Sequence, residues 1–262
     1  MKDVQNQTDK RNKHIQKVGI RKLILPIKIR GHKGRIINTV GRLSVYCNLN
    51  KNLRGINMSR FVEVIHKAIS NNISSDIVKD ILTAIKTRLE SDDAYVKIRF
   101  MYFIKKKAPI SKKIGFINIP CVFEGRLING QKKIYLTVEA PYISLCPCSK
   151  EISKASAHNQ RSTATITVEM KTTIKIEKLI DIVDNVASSP IYSILKRPDE
   201  KFVTEQAYSK PMFVEDVARD ISLLLDKFLD KQISDYVVVI EHQESIHNHN
   251  ALAIINAGRN LK

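Results

Sequence analysis

The order in which apolar periodicities follow one another along the chain restricts its fold more than any other feature. Apolar residues recur in strand fashion over residues 18–29 and again over 36–49, with Gly31 and Gly34 in the stretch between, which predicts a hairpin. Two helical stretches follow. The first starts behind Asn57 or Ser59 as N-cap and sets Val62, Ile65 and Ile69 on one face; the second starts behind Ser74 or Ser75 and does the same with Ile81, Ile85 and Leu89. Strand character returns over 95–104 and 114–123, and 125–130, bounded by Gly125 and Gly130, reads as a connector.

The same order then recurs in coarser form. Residues 133–138 alternate, Ala164, Ile166 and Val168 alternate with threonines, and a helix is expected over about 176–187. After an irregular polar segment, Ser209 and Pro211 open a helix whose Val214, Val217, Ile221, Leu224, Leu225 and Phe228 keep the spacing of a core-facing stripe. Strands over 236–240 and 251–255 close the unit. Paired strands around paired helices indicate an α+β fold with antiparallel sheets rather than a parallel α/β sheet. The expected organisation is a polar, mobile arm over residues 1–15, a first module over 16–128 and a second over 129–262 that carries most of the candidate site residues.

With 262 residues, 43% of them hydrophobic, the chain can bury one large core or two modest ones. No run reaches the roughly 18 apolar residues a membrane span needs, and the N-terminus is polar, so a cytoplasmic protein is expected. The formal charge of +18, from 44 Lys and Arg against 26 Asp and Glu, attracts polyanions. Much of it is spread as single lysines or short runs at 105–107, 112–113 and 132–133, without an aromatic-rich, zinc-finger or helix-turn-helix signature. Nucleic acid is therefore not expected as the primary partner, and a phosphorylated small substrate suits the charge equally well.

Chemistry concentrates in the second half. Cys47 and Cys121 lie within strand-like runs and read as small buried apolar residues. Cys146 and Cys148, separated only by Pro147, are awkward partners for a structural disulfide and sit where the proline interrupts regular pairing, on what reads as an irregular turn. Ten to twelve residues on, His158 adds an imidazole within Ala157-His158-Asn159-Gln160-Arg161-Ser162, and borderline metals take thiolate and imidazole together. Spacing alone leaves two readings open, a metal site or surface cysteines beside a hydrogen-bonded histidine.

The run Glu244-Ser245-Ile246-His247-Asn248-His249 follows an apolar strand; if it stays extended, His247 and His249 share a face. Lys196-Arg197-Pro198-Asp199-Glu200-Lys201 reads as a charged loop, and Glu215 sits in the first turn of its helix, where a carboxylate is favoured by the dipole alone.

Taken together, Gly55-Ile56-Asn57-Met58-Ser59-Arg60, the CPCSKEIS run from Cys146, AHNQRS from Ala157, KRPDEK from Lys196, FVED from Phe213 and ESIHNH from Glu244 resemble the type IB GTP cyclohydrolases in order and spacing, from about residue 18 to 256. The resemblance implies a tunnelling fold built from two tandem modules, a homotetramer with sites at subunit interfaces, and conversion of GTP and water to 7,8-dihydroneopterin triphosphate and formate, the opening step of folate and pterin synthesis. It makes Cys146 and His158 catalytic and metal-binding, and Glu200, Glu244, His247 and His249 the remaining metal-site positions. Six candidates exceed a catalytic ion's coordination, so Glu200 and His247 are taken as further ligands and Glu244 and His249 as proton carriers. Glu215 takes the place of the guanine anchor, and Lys150, Arg161, Arg197 and Lys201 are candidates for the triphosphate. The implied cofactor is a divalent ion, zinc or manganese, with iron also compatible with the donor set. Rival readings are another purine or pterin enzyme of the same fold, such as the archaeal-type cyclohydrolase that stops at a cyclic phosphate, or a basic nucleic-acid-binding protein.

Overall fold

The computed structural model describes residues 5, 7–31 and 34–258. They form an α+β fold of nine strands and six helices in two compact units, one of Met1–Met101 with Val122–Leu136 and the other of Tyr102–Cys121 with Thr137–Lys262. Strands β3 (Ala94–Lys107), β4 (Ile114–Ile128) and β5 (Gln131–Leu145) contribute to both units.

In the first unit, β1 (Ile15–Arg30) and β2 (Ile36–Leu49) form the expected antiparallel hairpin, and β2 pairs antiparallel with β3. Every second residue of β2 faces inward, so Leu43, Val45 and Cys47 are fully buried. Helix α1 (Met58–Ile69) starts where the Asn57 side chain accepts the Ser59 N–H, and α2 (Ser75–Leu89) where Ser74 accepts that of Ile77. Phe61 and Ile65 of α1 and Val78, Ile81, Leu82 and Ile85 of α2 supply the helical side of the core. Thr8 bridges to Leu53, and Arg54 N–H donates to the Gln7 carbonyl, so the described part of the segment expected as a mobile arm is paired with the loop before α1.

The expected connector over 125–130 is instead strand, and only Asn129 and Gly130 turn, both at positive φ, as a two-residue hairpin loop requires. Gly125 sits within β4 because α2 packs closely there: a Cβ would come within 2.6 Å of the Val78 side chain.

The second unit adds β6 (Asn159–Met170), β8 (Ile233–Gln243) and β9 (Asn250–Asn256) in the order β5-β6-β8-β9, with the two-residue β7 (Ser189–Pro190) also on β5. Helices α4 (Ile176–Val186) and α6 (Val214–Asp226) bury Leu179, Ile180 and Val183, and Val217, Ile221 and Leu225. Two segments expected to be irregular are helical. The CPCSKE run forms the short α3 (Pro147–Ile152), with its proline at the start, where no N–H is needed. The KRPDEK run opens α5 (Arg197–Ser209), since Pro198 suits a first turn and Asp199 accepts the Lys196 N–H at 2.9 Å. Val203 and Ala207 are the apolar face of α5, too sparse to register as a period. The last helix starts at Val214, not at Ser209 or Pro211. No helix among the described residues is long and apolar enough to cross a membrane.

Candidate functional site

All the candidate residues lie in the second unit, and strand register brings Cys146, His158 and Glu244 together. In the β6–β8 ladder Ser162 lies opposite His242; two residues toward the end of the pair, Gln160 meets Glu244. Between β5 and β6, the Thr137 and Thr167 hydroxyls meet at 2.9 Å, and Cys146 N–H donates to the His158 carbonyl at 3.2 Å. Both contacts fit one antiparallel register, which sets Ser144 opposite Gln160 and Tyr142 opposite Ser162. Because side chains alternate, the even-numbered residues of all three strands share one face. Cys146, His158, Ser144, Gln160, Glu244, Tyr142 and His242 are thereby gathered at one end of the sheet.

Hydrogen bonds tie this face together. Nδ1 of the half-buried His158 is 2.9 Å from Oε1 of Gln160, whose amide donates to Oε1 of Glu244 at 3.3 Å. The carboxylate lies 4.0 Å from Nδ1 of His242, and Nε2 of His242 is 2.9 Å from the Tyr142 hydroxyl. Only 2% of His242 is exposed, and burial pushes its pKa down to about 4, partly opposed by the charge of Glu215. His242 is therefore neutral near pH 7. Burial likewise pushes the Tyr142 phenol upward.

Ser144 donates to the Met212 carbonyl at 3.1 Å, and Met212 N–H donates to the Leu145 carbonyl, also at 3.1 Å. These two bonds hold the approach to α6 against the end of β5, and with it Glu215, whose carboxylate is exposed and acts electrostatically on His242. Glu215 is thus near enough to His242 for its charge to act there.

The other candidates are placed differently. Cys146 stands at the N-cap position of α3, half-buried, whereas Cys148 is exposed. Lys150 donates to the Tyr208 carbonyl at 2.7 Å with its ammonium 4.2 Å over the Tyr208 ring. Arg161 lines a cleft of about 720 Å³ with Asn159, Gln160, Glu244, Ser245 and His247. The segment 244–249 is a turn rather than a strand, yet His247 and His249 do come together, their rings stacked at 5.0 Å. Arg197, Glu200 and Lys201 are exposed on α5, where Lys201 pairs with Glu205 at 3.8 Å, and none of the three lines that cleft. Beside Glu200, Asp199 is fully buried. Burial opposes its ionisation, but the Ser111 hydroxyl and the N–H groups of Ser111, Lys196 and Ile110 outweigh this and hold its carboxyl well below the usual range.

The Cys146 thiol and His158 imidazole are donors that zinc and similar ions accept, and their backbones are bonded to each other, so this pair fits a divalent ion. Among the described residues no three His, Cys, Asp or Glu side chains converge into a ready-made metal cluster; Glu200 is carried by α5 and His247 by the β8–β9 turn.

Sequence reasoning missed Tyr142, Ser144 and Gln160 and gave His242 no role. Their signal was parity: polar residues at inward positions of strands that otherwise bury Ala164, Ile166, Val168, Val238 and Ile240.

The solved structure of uricase from Arthrobacter globiformis superposes with a TM-score of 0.59 over 94% of this chain and 96% of that one, at 7% identity. A uricase from Bacillus fastidious gives 0.54 over 92% and 93%, at 8% identity. The shared architecture is the tunnelling fold. In sequence, the GTP cyclohydrolase FolE2 of Pseudothermotoga lettingae is 46% identical over 255 residues, 97% of this chain and 98% of that protein. Those of Thermosipho africanus and Thermotoga maritima are each 44% identical, over 98% of both chains. The family model described as type I GTP cyclohydrolase folE2 matches residues 1–253, and the chain belongs to that family.

Proposed function

We propose that the protein is a GTP cyclohydrolase that converts GTP and water to 7,8-dihydroneopterin triphosphate and formate, the first step toward tetrahydrofolate, in the cytoplasm. The observation that carries this reading is the joining of a thiol, an imidazole and a carboxylate at the ends of β5, β6 and β8 with Glu215 beside them, in a chain of this family.

The reaction hydrates C8 of guanine, opens the imidazole ring, expels formate and closes the pterin ring, and each step moves protons. Glu215, at the positive end of α6 and open to solvent, is suited to accept hydrogen bonds from the guanine N–H and exocyclic amine. His158 and Glu244, linked through Gln160, exchange protons with the reacting ring, and His249 serves as a further carrier. Cys146 and His158 would hold a divalent ion, zinc or manganese with iron as a third option, completed by Glu200 and His247. When bound, the ion supplies Lewis acidity that eases deprotonation of water near neutral pH. Arg161 in the cleft, with Lys150, Arg197 and Lys201, supplies positive charge for the triphosphate. Assembly as a homotetramer with sites between subunits is supported by the edge strand β9, which exposes Leu252 and Ile254.

The test is incubation of the purified protein with GTP and zinc, manganese or iron in turn. Formate release and a product that becomes a fluorescent neopterin triphosphate on oxidation are expected. A cyclic phosphate product would move the protein to the archaeal-type reaction, and no turnover with any of the three ions would overturn the enzyme reading.

A further inference from the structure

The side-chain amide of Gln160 occupies the centre of the polar face, and only 5% of the residue is exposed. It makes two contacts of opposite sense. Its nitrogen is 3.3 Å from a Glu244 oxygen and its oxygen is 2.9 Å from Nδ1 of His158. An ionised carboxylate can only accept hydrogen bonds, so the NH2 end of the amide must face Glu244. The carbonyl end then faces His158, and a carbonyl can only accept. Nδ1 of His158 must therefore carry a proton, and in the neutral ring the lone pair falls on Nε2. The Ser245 hydroxyl approaches the same Nδ1 at 3.4 Å from the exposed turn, half an ångström further away, and can either give or take a proton. Only the amide has a fixed preference.

We propose that Gln160 is a positioning residue for this reaction: its buried amide holds His158 as the Nδ1–H tautomer and keeps Glu244 in register with it, so that Nε2 of His158 is the nitrogen presented to a metal ion or a migrating proton. The proposal rests on the reading that His158 belongs to the catalytic machinery. No other side chain of similar size meets both demands. Glutamate satisfies His158 but sets two carboxylates against each other, leucine leaves Nδ1 and Glu244 without this partner, and asparagine is one methylene too short to span the two.

The test uses Gln160→Leu and Gln160→Glu in the full-length protein, with kcat and KM for GTP measured alongside long-range 15N–1H spectra of the histidine rings in the metal-free protein. The wild type is expected to show His158 with its proton on Nδ1. Gln160→Leu is expected to lose this signature and to lower kcat roughly 10–100-fold, with KM changed by less than about threefold. Gln160→Glu is expected to keep the Nδ1–H tautomer and yet lose turnover to a similar degree, because Glu244 is repelled. An Nε2–H tautomer in the wild type, an unchanged His158 spectrum in folded Gln160→Leu, or a kcat within about threefold of wild type in that variant would each overturn the proposal. Should Gln160→Leu not fold, full turnover by Gln160→Glu overturns it instead. His158→Ala separates this from the underlying reading: full activity there removes His158 from the machinery, whereas an inactive His158→Ala beside a fully active Gln160→Leu removes only the role of Gln160.

Discussion

The second unit puts some of its buried polar side chains to a use that Asn48 of the first does not share. In the first, Asn48 accepts the N–H groups of Asp92 and Asp93 at 3.0 and 2.9 Å and so finishes a turn beside an apolar interior. In the second, Ser144, Gln160 and His242 are buried on adjacent strands and face one another or Glu244 instead of capping a turn. Burying such groups costs stability unless each finds a partner, so a cluster on the buried face of a sheet is the more expensive arrangement. The same elements thus yield a scaffold in one unit and, under the proposed function, a reactive face in the other.

The sharpest break of this comparison comes from two cysteines, one inside a strand and one just past a strand's end. Cys47 is fully buried in β2 and burial pushes its thiol up to about 11, which leaves it protonated and inert near neutral pH. Cys146 is half-buried beside His158. Cys146→Ala is expected to lower turnover of GTP by more than about 100-fold, beyond what loss of an outer partner costs, with little change in melting temperature. Cys47→Ala is expected to keep turnover and lose roughly 1–2 kcal/mol of stability in urea unfolding. Equal loss of activity in both variants would make Cys146 a folding residue and erase the distinction.

Much of this contrast was legible in the residues themselves. The hairpin, the caps at Asn57 and Ser74 and the stripes of α2, α4 and α6 follow from period and cap chemistry, both local properties. Helix α5 was not, because Val203 and Ala207 give it almost no apolar stripe and its start depends on Asp199 reaching Ile110 and Ser111 in a distant loop. In the site, Cys146 and His158 could be paired by motif, but Gln160 and Tyr142 acquire meaning only through the β5–β6–β8 register, which sets together residues up to a hundred positions apart. Register is a property of pairing, not of any one segment.

A smaller effect separates the two kinds of buried polar group. Tyr142→Phe removes the hydroxyl at Nε2 of His242, and Asn48→Ala removes the acceptor for two turn N–H groups. Each is expected to cost roughly 1–3 kcal/mol, read as a lower denaturation midpoint at constant slope. Only Tyr142→Phe is expected also to lower kcat, because His242 then no longer backs Glu244. If Asn48→Ala reduced kcat as much as Tyr142→Phe at equal stability, the first unit could not be treated as scaffold.

The smallest effect belongs to charge on the first unit. Glu124 is met by Lys97 at 3.0 Å and by Arg126 at 2.8 Å, with its side chain 25% exposed. Burial raises its pKa, but the hydrogen bonds and charges of Lys97 and Arg126 prevail and leave it below the ordinary carboxylate value. A carboxylate lowered in the folded state stabilises fully above its unfolded pKa, about 4.3, and loses that contribution as pH falls through the folded value. Glu124→Gln is therefore expected to lower stability at pH 7 by less than about 1 kcal/mol, with the difference from wild type shrinking below about pH 4. Turnover should be unchanged at every pH where the protein is folded. A difference that grew on acidification would mean the carboxylate is destabilised by its surroundings, and a change in kcat would extend the reactive face into the unit assigned here to support.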